Sequence, residues 1–319
     1  MLNNIENLLK DTSIKELETL QSLWSGYGSI VRYVSLLSNQ SFIVKQIQTD
    51  NENLRHPRGW NTSTSHQRKL KSYQVELTFY QQYAKQTSEL CKVPELIASQ
   101  TAADGYLLVL QDLDAAGFQM RTKSGDMPTV KLGIRWLANF HAKFMSTNAE
   151  HLWQQGGYWH LSTRQDELAA MPNSRLKQAA STLDKQLQQA KFQTLLHGDA
   201  KLENMCFNQQ NNDVALVDFQ YTGKGAGIID LAYFVGSAFH QPELELYHDD
   251  ILNDYFLQLK TALDANNTTL NFAELEQEYR QLYPIAWADF HRFLLGWNPN
   301  SWKINSYIEA MTEQALKQS

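Results

Sequence analysis

The sequence predicts an α+β protein of two lobes, a small lobe built on an antiparallel sheet with one helix and a larger, mainly helical lobe. Between Ile30 and Leu110, short apolar stretches are separated by turn residues, which is typical of strand hairpins. After Asp112, apolar residues recur at the three- and four-residue spacing of helices. The 319 residues suffice for two domains or one two-lobed unit. We expect residues 1–111 to form the N-lobe and residues 112–319 to form the C-lobe.

The composition indicates an ordinary globular protein and argues against several other classes. Hydrophobic residues make up 43% of the chain and charged residues 19%, which is too apolar for a disordered chain. The formal net charge of −6 argues against a general nucleic-acid binder. No apolar run could cross a membrane, and Met1–Asp11 lacks the features of a secretory signal, so we expect a cytoplasmic protein. Cys91 and Cys206 are too few for a disulfide framework or a zinc site.

The N-lobe elements follow from apolar spacing and turn signals. Ile14–Trp24 has apolar residues at helical spacing after a possible cap at Ser13, so we predict a helix there. The polar segment Asp50–His66 is long for a connection inside a compact domain, which marks it as functional or mobile. The other predicted elements are the strands Ile30–Leu37 and Ser41–Ile47, the helix Gln67–Gln86, and the strands Glu95–Thr101 and Tyr106–Leu110.

In the C-lobe, helices dominate and short strands interrupt them. The predicted helices are Val130–Met145, Arg175–Ala190, Ile228–Phe239, Leu244–Leu263, Phe272–Leu294 and Ile304–Lys317. The predicted strands are Gln193–His197, Met205–Phe207 and Val214–Asp218. Three glycines at 223, 225 and 227 indicate a flexible loop after the last of these strands.

Three polar residues near the predicted strands Met205–Phe207 and Val214–Asp218 form a candidate active site. Asp199 and Asn204 lie five positions apart in a loop, and Asp218 ends the strand that returns towards them. The hairpin can therefore bring one base and two oxygen ligands into one cleft. Phosphoryl transfer needs such a set, because Mg²⁺ prefers oxygen ligands and a second carboxylate can accept the proton of the attacking hydroxyl.

The stretch from residue 195 to residue 234 resembles the kinase-like small-molecule phosphotransferases, in the branch of aminoglycoside phosphotransferases, choline kinases and ecdysteroid kinase-like proteins. The motifs that carry the resemblance are His197-Gly198-Asp199 followed by Asn204, then Asp218-Phe219-Gln220 and Asp230-Leu231-Ala232. The resemblance implies a protein-kinase-like fold. It implies that Asp199 is the catalytic base, that Asn204 and Asp218 hold Mg²⁺, and that Asp230 braces the loop. His197 is interpreted as a second brace.

Elements of the N-lobe extend the resemblance to roughly Gly26–Phe239. It implies that Lys45, in Phe42-Ile43-Val44-Lys45, contacts the α- and β-phosphates of ATP and takes part in catalysis. It implies that Glu76 on the following helix pairs with this lysine.

The remaining nucleotide contacts are also implied by the resemblance. Gln111 and Leu113 correspond to the hinge that binds adenine through backbone groups. Gly26, Gly28 and Ser29 correspond to the loop that covers the phosphates, although the full Gly-x-Gly-x-x-Gly pattern is missing.

These residues predict an ATP- and Mg²⁺-dependent transfer of phosphate to the hydroxyl of a small molecule. An aromatic tail with a carboxylate suits a cationic acceptor such as choline or an aminoglycoside, while its helical spacing fits core packing equally well. The candidate acceptor residues are Trp287, Asp289, His291 and Trp297.

Two other functions stay open as alternatives. One is a catalytically silent pseudokinase with a regulatory role, and the other is a protein kinase. Against the second, only about a dozen residues separate Asp218 from Asp230, which leaves little platform for a peptide. The sequence does not predict the oligomeric state.

Overall fold

A five-stranded antiparallel sheet forms the N-terminal part of the protein. The computed structural model describes residues 2–23, 27–48, 63–102 and 105–318. The strands follow the spatial order β1-β2-β3-β5-β4, so that β3 lies at the centre. The elements of this part are the helix α1 (Leu2–Leu9), the strands β1 (Ile14–Ser22), β2 (Gly28–Ser35) and β3 (Gln40–Gln48), the helix α2 (Ser63–Thr78), and the strands β4 (Leu96–Ala102) and β5 (Gly105–Gln111).

Alternation along the strands divides their side chains between the two faces of the sheet. On β3, Val44 is buried in an apolar cluster that includes Ile5 of α1, on the outer face. Its neighbours Ile43 and Lys45 point to the opposite face and line the cavity between the two parts of the protein. The strand period thus directs this lysine to the cavity side of the sheet.

The predicted helix at Ile14–Trp24 is wrong, because residues 14–22 form the edge strand β1. Only Ile14 is buried along this strand, and Leu17 and Leu20 are 51% and 44% exposed. Two irregularities in the pairing with β2, between Glu16 and Glu18 and between Thr19 and Gln21, break the two-residue alternation. The apolar spacing therefore did not report which face is buried.

The helix predicted at Gln67–Gln86 begins earlier and changes its geometry near its end. Most of the predicted loop Asp50–His66 lies outside the described residues, but α2 already begins at Ser63. After Thr78 the chain continues as a π-helical turn over Phe79–Tyr83 and a 3₁₀ turn over Ala84–Gln86.

The C-terminal part is mainly helical and carries two small two-stranded sheets. The helices are α3 (Met127–Lys143), α4 (Gln165–Ala170), α5 (Arg175–Gln188), α6 (Ile228–Ala238), α7 (Gln241–Ala265), α8 (Phe272–Trp297) and α9 (Ser306–Gln318). The strands are β6 (Thr194–Leu196), β7 (Met205–Phe207), β8 (Val214–Leu216) and β9 (Gly223–Gly225). Together the two parts confirm the predicted α+β class. Among the described helices, none combines the length and apolar character needed to span a bilayer.

The glycines after Asp218 do not form a flexible loop. Gly223–Gly225 is strand β9, which pairs antiparallel with β6, directly before the His197-Gly198-Asp199 motif. A Cβ at Gly223 would lie 2.3 Å from the carbonyl oxygen of Trp153, so only glycine permits this close approach. The glycines therefore reflect tight backbone packing and not the flexible loop that the sequence predicts.

Phe219 connects the sheet-bearing part to the helical part. Its side chain is fully buried and stacks on Phe79 at the end of the α2 segment, with 3.8 Å between the ring centroids. On the helical side its ring packs against His197, at 4.7 Å, and against Phe140 of α3. One residue of the Asp-Phe-Gln motif therefore fixes α2 relative to the loop that contains His197 and Asp199.

We predict that Phe219→Ala lowers the free energy of unfolding by about 3–5 kcal/mol, as expected for a fully buried ring. Denaturant titration followed by circular dichroism measures this loss. Leu257→Ala is the matched control, since Leu257 is 64% exposed and should tolerate truncation. Equal stability of the two variants would contradict the assignment of Phe219 to the contact between the two parts.

Candidate functional site

A cavity of about 1370 Å³ lies between the sheet and the helices, and half of the predicted site residues line it. Its size exceeds that of a typical pocket for one small ligand. The predicted residues on its wall are Lys45, Glu76, Gln111, Leu113, Asp199, Asn204, Asp218 and Trp297. Residues from both ends of the chain thus meet at one site.

Asp199 lies in the loop after β6 and is 7% exposed. Its Oδ1 accepts a hydrogen bond from the hydroxyl of Tyr233 at 2.9 Å. Its Oδ2 accepts from Lys201 Nζ at 2.9 Å and from Asn204 Nδ2 at 3.2 Å. The carboxylate is therefore held in one orientation on the cavity wall, with Lys201 as its counter-charge.

Asp230, in the first turn of α6, holds the loop that carries Asp199. Its side chain is fully buried and accepts the backbone N–H groups of His197 (2.6 Å) and Gly198 (3.0 Å). Gly198 has a φ of +81°, and a Cβ there would lie 2.1 Å from the carbonyl oxygen of Tyr221. The turn therefore requires both a glycine and an acceptor for two otherwise unsatisfied donors.

His197 links the loop after β6 to the strand that leads to Asp218. Its Nδ1 accepts the backbone N–H of Asp199 at 3.2 Å, so Nε2 carries the proton and donates to the carbonyl of Val217 at 3.0 Å. Burial lowers the pKa of His197, which keeps the ring neutral. Both nitrogens are used in fixing backbone.

Asp218 and Asn204 present oxygen atoms that fit a divalent cation. Asp218 has a φ of +71°, and its buried Oδ1 has no hydrogen-bond partner among the described residues. Asn204 turns its amide nitrogen to the carbonyl of Asp199 at 2.8 Å, which leaves its Oδ1 available. One free carboxylate oxygen and one amide oxygen suit Mg²⁺, which keeps several waters and phosphate oxygens.

The charge on Asp218 is maintained by its surroundings. Burial raises the pKa of this carboxyl, but three nearby lysines outweigh burial and hold the pKa below its usual value. These lysines are Lys45, Lys69 and Lys201.

Lys45 and Glu76 form a buried ion pair with a distance of 2.6 Å between Nζ and Oε2. Asp218 Oδ1 lies 3.9 Å from the same ammonium group. Burial lowers the pKa of Lys45, but Glu76 and Asp218 outweigh burial and raise it. The ammonium is therefore charged and directed at the place where Asp218 meets the cavity.

Sequence reasoning missed Lys69, which brings a second cation to the same wall from α2. Its position seven residues before Glu76, two helical turns away on the same face, was an available signal. Lys69 Nζ donates to Gln220 Oε1 at 3.0 Å, and Ser72 Oγ donates to the same oxygen at 3.1 Å. Burial lowers the pKa of Lys69 to about 8. Tyr233 and Lys201, the partners of Asp199, were also missed.

The two nucleotide-binding elements predicted in the N-lobe differ in their placement. Gln111 and Leu113 line the cavity at the end of β5, beside Asp112, which pairs with Arg32 at 2.9 Å. Gly26 lies outside the described residues. Gly28 and Ser29 pair with β3 at the start of β2 and are absent from the cavity wall. Tyr27 lines the cavity in their place, with its hydroxyl 2.7 Å from His66 Nδ1 of α2.

Three of the four predicted acceptor residues lie in the core of the helical part and do not line the cavity. Trp287 is 1% exposed, Asp289 pairs with Arg292 at 2.8 Å, and His291 contacts Thr312 Oγ1 at 2.9 Å. Among the four, Trp297 lines the cavity. Every residue from Leu282 to Leu294 of α8 is buried, so these three side chains lie in the core whichever face they occupy.

The N-terminal sheet and the C-terminal helices enclose lysine, glutamate, aspartate and asparagine side chains. This is the architecture of kinase-like small-molecule phosphotransferases. The chain belongs to the ecdysteroid kinase-like family, because the model of that family matches residues 35–191 and 149–268. This match confirms the resemblance drawn from the sequence. No curated protein matches significantly.

Solved structures resemble the chain at low sequence identity. An aminoglycoside phosphotransferase from Streptomyces rimosus, in complex with ADP and streptomycin, is 13% identical with a TM-score of 0.44, covering 90% of this chain and 98% of that chain. An ethanolamine kinase from Plasmodium vivax is 8% identical with a TM-score of 0.46, covering 96% of this chain and 82% of that chain.

We predict that Asp230→Asn destabilises the protein by about 3 kcal/mol, because an amide presents only one acceptor atom to two buried N–H donors. The melting temperature, read by differential scanning fluorimetry, should fall clearly. Asp264→Asn is the control, since Asp264 pairs with Lys260 on the exposed side of α7. A melting temperature equal to that of the control would refute the role of Asp230 in holding the loop.

Proposed function

We propose that this protein transfers the γ-phosphate of ATP to a hydroxyl group of a small molecule, with Mg²⁺ as cofactor. The observation that carries the proposal is the convergence of Asp199, Asn204 and Asp218 with the Lys45–Glu76 ion pair on one cavity. Phosphoryl transfer depends mainly on positioning and on neutralising charge, and this set of groups supplies both.

The nucleotide would lie with its phosphates towards Lys45 and Lys69 and its base towards the end of β5. Both ammonium groups face the same part of the cavity, so they can neutralise the α- and β-phosphates. Backbone groups of Gln111 and Leu113 would bind the adenine. In this proposal residues 1–111 form the lobe that covers the nucleotide, and residues 112–319 form the lobe that carries the catalytic loop.

Asp218 and Asn204 would hold Mg²⁺ through the free carboxylate oxygen and the amide oxygen. When bound, the ion supplies positive charge that neutralises phosphate oxygens during transfer. The Oδ1 of Asp218 best supports this assignment, since it is buried and has no hydrogen-bond partner among the described residues, which is costly for a carboxylate oxygen.

Asp199 would accept the proton of the acceptor hydroxyl. The acceptor oxygen then forms a bond to the γ-phosphorus while the bond to the bridging oxygen of ADP breaks. Tyr233 and Lys201 fix the carboxylate.

The expectation of a cationic acceptor loses most of its support. Of the residues behind it, Asp289 is neutralised by Arg292, and Trp287 and His291 are core residues. The acceptor class in this proposal is therefore a small hydroxyl compound without a stated charge.

We predict that Asp199→Asn reduces phosphate transfer by about 10²–10⁴-fold, the usual contribution of a general base. ADP release with Mg²⁺-ATP is the measurement, over a panel of choline, ethanolamine, amino sugars, aminoglycosides, simple sugars and sterols. Calorimetric affinity for Mg²⁺-ATP should change little in this variant.

Asp213→Asn serves as the activity control, since Asp213 pairs with Arg135 away from the cavity. Turnover that survives Asp199→Asn would contradict the assignment of the base. Nucleotide binding without any turnover in the unchanged protein, over an exhaustive panel, would favour the pseudokinase alternative.

We predict that the affinity for Mg²⁺-ATP falls about tenfold as the pH rises from 7 to 9.5. With a pKa of about 8, Lys69 is charged below this value and loses its attraction for phosphate above it. The groups that act on Lys69 are Asp218, Lys45, Glu76 and Arg68, with Gln220 and Tyr73 in contact.

Lys69→Arg is the matched control, because a guanidinium stays charged over this range and should give a flat pH profile. Lys69→Met should bind weakly at pH 7 and show no further fall. Isothermal calorimetry at each pH measures all three proteins. A fall of the same size in Lys69→Arg would assign the titration to another group.

A further inference from the structure

One end of the cavity, beyond Asp199, is walled by aromatic side chains that the proposed nucleotide site does not use. We term it the aromatic end, and its residues are Tyr158, Tyr233, Phe290, Phe293, Trp297 and Trp302. The rings support one another, with 5.1 Å between the centroids of Tyr158 and Phe293 and 5.4 Å between those of Phe293 and Trp297. Such a wall offers flat apolar surface to a ring-bearing ligand.

Lys303 projects its ammonium group over this wall. Its Nζ lies 5.3 Å from the centroid of the Tyr233 ring, 5.8 Å from that of Phe290 and 5.7 Å from that of Trp302. All three distances are within the range of cation–π attraction. The protein therefore fills its own cation site on these rings.

Lys303 differs in its pairing from two other lysines of the cavity wall. Lys45 pairs with Glu76, and Lys201 pairs with Asp199. Within the described part of the chain, no carboxylate lies within 4 Å of Lys303 Nζ and no hydrogen bond engages it. A lysine held among rings without a counter-ion leaves a local excess of positive charge.

This excess lies next to the place where the acceptor hydroxyl must bind. The Tyr233 ring lies beneath Lys303, and the hydroxyl of the same Tyr233 donates to Asp199 Oδ1. Asp199 pairs directly with Lys201, and it acts on Lys303 only over a distance longer than an ion pair. Burial lowers the pKa of Lys303 to about 8 despite the opposing effects of Glu203 and Asp199. An additional anion would favour the charged form.

We propose that the aromatic end binds a ring-bearing alcohol that carries a negatively charged group such as a carboxylate, and that this group pairs with Lys303 while the hydroxyl lies against Asp199. The inference rests on the proposed function, whose acceptor class it specifies. It excludes cationic acceptors, because Lys303 occupies the rings that would attract them and would repel a second cation.

Three alcohols of the same size and differing charge test the inference. They are 4-(hydroxymethyl)benzoate, which is anionic, 4-(hydroxymethyl)benzamide, which is neutral, and 4-(aminomethyl)benzyl alcohol, which is cationic. Their affinities for the full chain are measured by calorimetry with Mg²⁺ and a non-transferable ATP analogue present. We expect the anionic probe to bind at least about tenfold more tightly than the other two.

Variants of Lys303 assign the preference to one residue. Lys303→Met should weaken the anionic probe about tenfold, to the level of the neutral probe, while Lys303→Arg should retain most of the preference. Lys260→Met is the control, because Lys260 lies on the exposed side of α7 and pairs with Asp264. The melting temperature of each variant confirms that it is folded.

Two results overturn the inference: equal or tighter binding of the cationic probe, or no binding of any probe while the ATP analogue binds. A preference that survives in Lys303→Met also overturns the role of this residue. Affinity for the ATP analogue, measured on the same samples, tests the proposed function separately. If the unchanged protein does not bind the ATP analogue, the proposed function is refuted. If it binds the analogue but shows no charge preference among the probes, only the acceptor class is refuted.

Discussion

The geometry of the site depends on one buried carboxylate. Asp230 is fully buried, and its two oxygens accept the backbone N–H groups of two successive residues in the loop after β6. A charge in such a place is stable only when its hydrogen bonds are complete, so the loop has little freedom to rearrange. The left-handed turn at Gly198 and the orientation of Asp199 follow from this constraint. A helix terminus therefore sets the position of the loop, although Asp230 itself is remote from the cavity.

The charge of the cavity differs from the charge of the chain. The formal net charge is −6, yet lysines and arginines crowd the wall between the sheet and the helices. This local excess explains why Asp218 keeps a low pKa despite burial, whereas it is burial that lowers the pKa of Lys69 and of Lys303. Interactions over a few ångströms in a poorly hydrated cleft outweigh charges dispersed over the surface. The net charge of the chain indicates which partners its surface favours. It does not indicate the charge of a ligand that binds in the cavity.

Sequence reasoning succeeded where a pattern has one structural meaning. The apolar spacing predicted the fold class, which is confirmed, and the loop motif with the resemblance pointed to Lys45, Asp199, Asn204 and Asp218, which lie on one cavity wall. It failed where a pattern has two meanings. The edge strand β1 buries only Ile14, and its exposed leucines follow the spacing of a helix without forming one. Glycines at 223 and 225 indicated flexibility but serve close packing against β6. Pairings such as Lys69 with Gln220 depend on tertiary contacts over 151 positions, which no local pattern reports.

The aromatic residues of the C-terminal helices illustrate why composition alone misleads about ligands. Rings with a nearby carboxylate suggest a cation site, and the chain does build one. The predicted carboxylate, Asp289, pairs with Arg292 in the core. The rings on the cavity wall instead face the ammonium of Lys303. When a charged side chain of the same protein covers an aromatic surface, a ligand meets the charge of that side chain and not the faces of the rings. The same residues that would attract a cationic ligand in isolation therefore favour an anion once Lys303 is in place.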